Sequence, residues 1–554
     1  MKKLGPFQRI SEPVQIKIDL KTLKEGINSI RDFIIKVDNL GEIIYVVSKT
    51  CDHAGGKLIV KGNSAICPLH GWQLNLDTLR YNDSHKVKEE IEFTIEDDML
   101  TIESSIEKLY NPYNTSCTDE PFSMQWLNHA SINFKFKGVS LTTDPWLYGP
   151  AFLGGWWLNK PSLKSSILTL TQSDFIYISH NHPDHLHPET LKLVSKNKTI
   201  LSPKFTGGAT TKYLKALGFT KIKELEFNQL YELQQDLVVG ILKSGDFRDD
   251  SGLYIQFGKQ QCLLTVDSNY LNSGVLPSNI DVLLTAFAGG ASGFPMIYDN
   301  YPESDKTKIL RRNANAIKAA VLDYIHKTRP KFYHPYAGMF EEKAPRDLYI
   351  KNINIKNSAN SYSQICSSQN VEFLNPDKRS IYCFSKGGLE ITTDDSEFLE
   401  TEPINIYLES FSQENTLDLV ETVNYMSNSQ FFSEQILNLV PTNDEFEASE
   451  KFVFCDFSKQ EFSIKSIDKL KDINSDKRTM TIKIRSEILM MVVTNMMPWE
   501  DFTIGFQARI SRFPNTYESE FWYHFTNVYI NDQYFKFNQY CGACKLIEQN
   551  PSLI

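Results

Sequence analysis

Two short runs early in the chain pair thiols with imidazoles. CDH at 51–53 supplies Cys51 and His53, and CPLHGW at 67–72 supplies Cys67 and His70. Two soft thiolates suit one iron and two imidazoles a second, which is the donor set of a 2Fe–2S cluster whose histidine ligation raises its reduction potential. Gly55, Gly56 and Gly71 stand beside these donors, where tight turns and close backbone approach need a residue without Cβ. The same four donors could hold a zinc ion.

A second constellation, SHNHPDHLH at 179–187, holds His180, His182, Asp184 and His185 directly after the strand-like FIYIS. On an extended segment, alternation turns His180 and His182 to one side, where they can chelate one metal. Asp184 and His185, on the following turn, can then serve a second. His187 is read as a core or surface histidine.

These donors need elements to position them. Residues from about 12 to 105 read as short strands between turn signals, in IRDFIIKVD, GEIIYVVSK, GKLIVKG and EEIEFTIEDDMLTIE. A polar linker, LYNPYNTSCTDEPFS, follows. From MQWLNHASINFKF to IYCFSKGG strand and helix patterns alternate, and KTKILRRNANAIKAAVLDYIHKT has apolar residues at helical spacing. Beyond about 390 the chain is first acidic, then rich in aromatics. A length of 554 residues suggests roughly three to four domains. The expected fold class is multidomain α+β, with an all-β N-terminal domain over 1–110, a central catalytic domain over 118–390 and a C-terminal α/β extension over 391–554 that completes the substrate site.

Composition excludes some functions. A net charge of −10 argues against sequence-independent nucleic-acid binding, which needs a basic face. MKKLGPFQRI has no apolar run behind its lysines, unlike a secretory signal. No stretch approaches the ~20 apolar residues of a membrane span. Nine scattered cysteines fit a reducing compartment better than a disulfide framework, so a cytoplasmic location is expected.

The first site resembles a Rieske centre, in the form found in oxygenases and their ferredoxins, because no additional cysteine accompanies either loop. The second matches the αββα metallo-β-lactamase fold, whose further ligands arrive at the ends of later strands. On that resemblance Asp267 in CLLTVDSN bridges the metals and His334 in KFYHPYAG is the last ligand. No histidine stands between His187 and His326, where this fold usually supplies a third. Asp246 in KSGDFRDDSGLYI is the substitute, while Asp249 and Asp250 read as solvated loop charges. A carboxylate in that place makes the site harder, favouring iron over zinc.

Longer stretches carry a closer resemblance. TDPWLYGPAFLGGWWLNKP with DFIYISHNHPDHL, AFAGGASGFPM, and MPWEDFTIGFQARISRFPNTYESEFWYHF resemble the CMP-N-acetylneuraminate monooxygenases. That resemblance implies hydroxylation of the N-acetyl methyl of CMP-sialic acid or a similar sugar nucleotide. It also implies electrons from NADH through a reductase and a b-type cytochrome or ferredoxin. A hydrolase has no use for an electron-transfer cluster, whereas a metal site that activates dioxygen must receive single electrons, so the second site is read as dinuclear non-haem iron. Asp184 and His129 are the catalytic candidates, His129 orienting a ligand or substrate, and Asp144 is expected to organise the metal loops. Arg509 and Arg512 are candidate partners for a phosphate or carboxylate. Trp156 and Trp157 read as core rather than base-stacking residues, and Cys541 and Cys544 as a free thiol pair. A zinc hydrolase with a regulatory Rieske domain and a dioxygen-reducing redox protein remain as other classes.

Overall fold

The computed structural model describes residues 1–526 apart from 53–55, 68–71, 83–85, 114–117, 246–248, 269 and 471–476. Two eight-stranded sheets form its centre. One runs Lys2–Pro6, Gln229–Gln234, Leu237–Lys243, Ser251–Phe257, Gln260–Leu264, Val282–Thr285, Phe332–Pro335 and Glu372–Phe373. The other runs Lys221–Leu225, Thr199–Pro203, Phe175–Tyr177, Val139–Thr143, Ser131–Phe136, Phe122–Asn128, Ser380–Ser385 and Gly388–Thr393. Their facing sides share one apolar core. Phe122 of the second sheet stacks on Phe257 of the first, ring centroids 4.3 Å apart.

Helices cover the outer faces. Leu170, Leu191 and Leu214, from Lys164–Gln172, Pro188–Lys192 and Ala209–Ala216, pack with Ile176 and Ile200 of the second sheet. Across the molecule Val321, Tyr324 and Ile325 seat the long helix Glu303–Thr328 on the first sheet. That helix begins before the run read from sequence. Pro302 caps it, and Glu303 and Asp305 in its first turn complement the positive end of the helix dipole. The layering is αββα, with the histidine-rich segment at the carboxyl end of Phe175–Tyr177.

The N-terminal region is all β, as its alternation implied. Gln8–Asp19 pairs antiparallel with Met99–Tyr110 along its whole length. Two three-stranded sheets complete it, Gly26–Ile30 with Phe33–Val37 and Ile43–Ser48, and Ile59–Lys61 with Ser64–Ile66 and Gln73–Asn75. Among the described residues from 8 to 110 the one helical element is the single turn Leu20–Thr22. Lys2–Pro6 departs from this region: it pairs with Gln229–Gln234 at the edge of the central sheet. The last region is a five-stranded sheet in the order Glu461–Ser466, Lys451–Asp456, Ile436–Thr442, Thr479–Arg485 and Ala508–Phe513, with helices against it. Its core continues into the central region through Trp146, Phe152, Trp156 and Phe340.

Candidate metal centre

The chain leaves the strand Phe175–Tyr177 through Ser179 and turns at Pro183 into the short helix Pro188–Lys192. Along this path His180 Nε2 and His182 Nδ1 come to face each other at 2.9 Å. Two nitrogens about 2.1 Å from one ion, at a right angle, stand about that far apart, so the spacing suits a shared cation. The other nitrogen of each ring is held from behind. His180 Nδ1 lies 2.9 Å from Ser179 Oγ and 3.5 Å from Asp250 Oδ1, and His182 Nε2 lies 3.3 Å from Glu500 Oε1. His185 Nδ1 lies 3.1 Å from Asp144 Oδ2, which also accepts from Ser179 Oγ at 2.8 Å. Such outer partners fix ring orientation and tautomer, leaving the inner nitrogen to a metal.

Two overlapping donor sets result: His129 with Asp184 and His185, and His180 with His185 and Asp267, each offering donor atoms within 4.8 Å of one another. His185 Nε2 lies 3.4 Å from both Asp184 Oδ2 and Asp267 Oδ2. Asp184 Oδ1 and His185 Nε2 are buried without a hydrogen-bond partner, a costly arrangement for polar atoms unless a cation satisfies them. The residues present therefore fit a metal ion. His129 stands behind Asp184: Gly338 N–H donates to its Nδ1 at 3.4 Å, and its Nε2 meets Asp184 Oδ2 at 3.1 Å. Both His129 and Asp144 hold left-handed backbone, φ +40° and +36°, a strained state that surrounding hydrogen bonds must over-determine.

The electrostatics gather negative charge around imidazoles. Burial would lower the pKa of His185, but the charges of Asp184 and Asp267 and the bond to Asp144 raise it well above its usual value. Burial of His182 is likewise outweighed by Glu500, Asp184 and Asp501, which raise it to about 9. A field that holds protons on buried imidazoles also favours a cation among them.

The structure corrects the sequence reading at Asp250 and His334 and places the other residues named there. Asp250 is not a solvated loop charge; it is 2% exposed and stands behind His180. The structure does not bring His334 to the donor sets. Its strand alternation turns it between the sheets, 6.3 Å from the rings of Trp126 and Tyr382, where burial lowers its pKa to about 3. Arg509 and Arg512, the candidate anion partners, stand three apart on the strand Ala508–Phe513 and face its opposite sides. Arg512 lies over Tyr298 and donates to Asn515, while Arg509 lies over Phe446. His187 is a buried N-cap accepting from Thr190 N. Trp156 is core, stacked 3.6 Å from Phe340, and Trp157 is buried too. His53, His70, Asp246, Cys541 and Cys544 lie outside the described residues.

Glu500 had no signal in the sequence. It reaches His182 from the helix Trp499–Ile504 of the C-terminal region, and nothing local distinguishes it from other carboxylates. Glu500→Gln is expected to weaken metal retention by about 10–100-fold, as loss of an outer partner does. Titration of the metal-free protein with ferrous iron reads this; unchanged affinity would show that the contact does not orient His182.

In the N-terminal region Cys51 and Cys67 are buried in one apolar cluster. Each opens a loop closed the same way, Cys51 N donating to Gly56 O and Cys67 N to Trp72 O, both at 2.7 Å. Tyr81 hydrogen-bonds to Cys51 and accepts from Asp52 N at 3.1 Å.

Comparison with known proteins extends these findings. A family model described as a beta-lactamase superfamily domain matches residues 123–246. Proteins named cytidine monophosphate-N-acetylneuraminic acid hydroxylase from Danio rerio and Xenopus laevis are each 28% identical, over 92% of this chain and 92% of theirs. The Mus musculus protein of that name is 27% identical over 92% of this chain and 94% of its own. Among solved structures, CmlA, a diiron beta-hydroxylase from Streptomyces venezuelae, aligns at 17% identity and a TM-score of 0.32, over 46% of this chain and 53% of that one. Over 92% of its length the chain is thus a homologue of proteins named as CMP-N-acetylneuraminic acid hydroxylases, and it contains a beta-lactamase superfamily domain.

Proposed function

We propose that the protein is a Rieske-dependent, non-haem iron monooxygenase that hydroxylates CMP-N-acetylneuraminate, or a similar N-acyl sugar nucleotide, at the acyl methyl. The observation that carries this is the alignment to hydroxylases over 92% of the chain. The unaligned remainder is shorter than the stretch before Cys51, so both the cysteine loops and the histidine cluster fall within its reach. In this reading residues 1–110 carry the Rieske cluster, 118–390 the iron centre and 391–554 the rest of the substrate site.

The proposed iron donors are His180, His182, Asp184, His185 and Asp267, with Asp246 as the further carboxylate. Cys51, His53, Cys67 and His70 would hold the 2Fe–2S cluster. When bound, the cluster supplies single electrons and the iron the activation of dioxygen that an unactivated methyl C–H bond requires. This chain's residues do the positioning. Asp144, Asp250 and Glu500 hold the outer nitrogens of three histidines, and His129 steadies Asp184. Trp146 and Phe152 stand beside His129 and His182, centroids 5.0 and 5.8 Å away, and shield that side from water. Electrons would come from NADH through a reductase and a b-type cytochrome or ferredoxin, in the cytoplasm. No described helix is long and apolar enough to cross a membrane.

Protein supplied with NADH, a reductase chain, dioxygen and CMP-N-acetylneuraminate is expected to yield the N-glycolyl product. One oxygen atom enters the methyl group while two electrons and two protons carry the other away as water. Labelled dioxygen should place its label in the new hydroxyl. Oxygenation of a different N-acyl compound alone would overturn the substrate, and hydrolysis in the absence of oxygen would overturn the reaction.

A further inference from the structure

A cavity of about 610 Å³ opens beside the metal centre. Trp126 and Gly338 line it, and both bond to His129: Trp126 Nε1 donates to its carbonyl at 2.8 Å and Gly338 N to its ring. His129 in turn touches Asp184. One residue therefore separates the cavity wall from the candidate metal ligands.

The lining is lopsided in charge. Three lysines, Lys160, Lys356 and Lys378, line the cavity with a single acidic residue, Asp377. Glu342 takes up the charge of Lys356 at 2.9 Å. Lys378 is different: it is 4% exposed, lies 4.6 Å over the Trp126 ring, and its ammonium donates only a long bond, 3.4 Å, to Lys160 O. Among the described residues no carboxylate lies within ion-pair distance of Lys378 or Lys160. Burial, with Lys160 close by, lowers the pKa of Lys378 to about 7. A buried ammonium without a counter-ion is costly, and an anion entering the cavity would remove that cost. Asn360 and Asn375 add amide donors and acceptors, and Phe398, 44% exposed, adds an aromatic ring to the lining with the Arg379 guanidinium 5.1 Å over it.

We propose that this cavity binds the anionic part of a nucleotide-linked sugar acid, with Lys378 and Lys160 receiving its phosphodiester or its carboxylate. The proposal rests on the sugar-nucleotide reading above and places the ligand's charge on the side of the centre where Trp126 and Gly338 stand.

The test is equilibrium binding by calorimetry to the full-length, metal-loaded protein without reductant. The ligands are CMP-N-acetylneuraminate, CMP, free N-acetylneuraminate and inorganic pyrophosphate. Lys378→Met, which keeps the stem and removes the charge, should weaken CMP-N-acetylneuraminate at least 10-fold, and Lys378→Arg should recover most of the loss. Bound iron should be unchanged in both. Lys160→Met, at an exposed residue the fold tolerates, should weaken the same ligand several-fold and serves if Lys378→Met does not fold. CMP sensitive to Lys378 assigns the phosphodiester to that lysine; free N-acetylneuraminate sensitive to it assigns the carboxylate. Equal affinity in wild type and both methionine variants would overturn the site. If wild type binds no CMP-N-acetylneuraminate, the substrate reading fails on its own. The cavity is then judged by pyrophosphate and CMP: Lys378-dependent binding upholds it, and none overturns it.

Discussion

His185→Ala is expected to leave the central region without bound iron and to reduce turnover to background. The residue belongs to both donor sets, so its loss removes a donor from each at once. It also sits at 0% exposure among Asp144, Asp184 and Asp267. Deleting it leaves these carboxylates facing one another without the imidazole between them. Removing one member of a buried charged group costs about 3–5 kcal/mol, so the thermal midpoint should fall as well. Iron content per chain and a melting curve read the two effects separately. Near-normal iron in the variant would show that His185 is not a shared ligand.

Cys67→Ala is the second large effect, and it should be confined to the N-terminal region. The thiol is fully buried at the head of its loop, and no other cysteine near the loop could replace it. The reduced wild-type protein should show a Rieske-type EPR signal. The variant should lose that signal and all reductase-driven turnover, yet keep iron at the histidine cluster. Zinc and no acid-labile sulfide in the wild-type protein would end the Rieske assignment.

What could be read from the chain alone follows the range of the interactions. The H-x-H-x-D-H run is local, and a strand end with a turn suffices to converge its donors, so His180, His182, Asp184 and His185 were legible as a group. Cys51 and Cys67 were picked out by equally short runs, and the structure buries both in one cluster. Asp250 was misread because a carboxylate next to other acidic residues looks solvated until the fold closes over it. Glu500 was invisible because its partner, His182, lies in a different region of the chain. His334 shows the limit of strand-end reasoning, since on a pleated strand a shift of one position reverses the face a side chain presents. The αββα layers were implied by the resemblance of the histidine run to the metallo-β-lactamase fold, and the C-terminal sheet with its helices agrees with the α/β extension expected there.

The pairing of Lys2–Pro6 with Gln229–Gln234 also bears on how the molecule is made. On the ribosome Lys2–Pro6 emerges long before its neighbour Gln229–Gln234 exists. Closing a contact over so long an intervening stretch is slow, and unpaired strand edges invite association between chains. Gly5 and Pro6 blunt that edge, and Lys2 and Lys3 charge it, which keeps the waiting segment soluble. Lys2–Pro6 can take its place in the sheet only after Gln229–Gln234 has been made. A newly made chain therefore lacks this tie between its N-terminal and central regions until that later strand has followed.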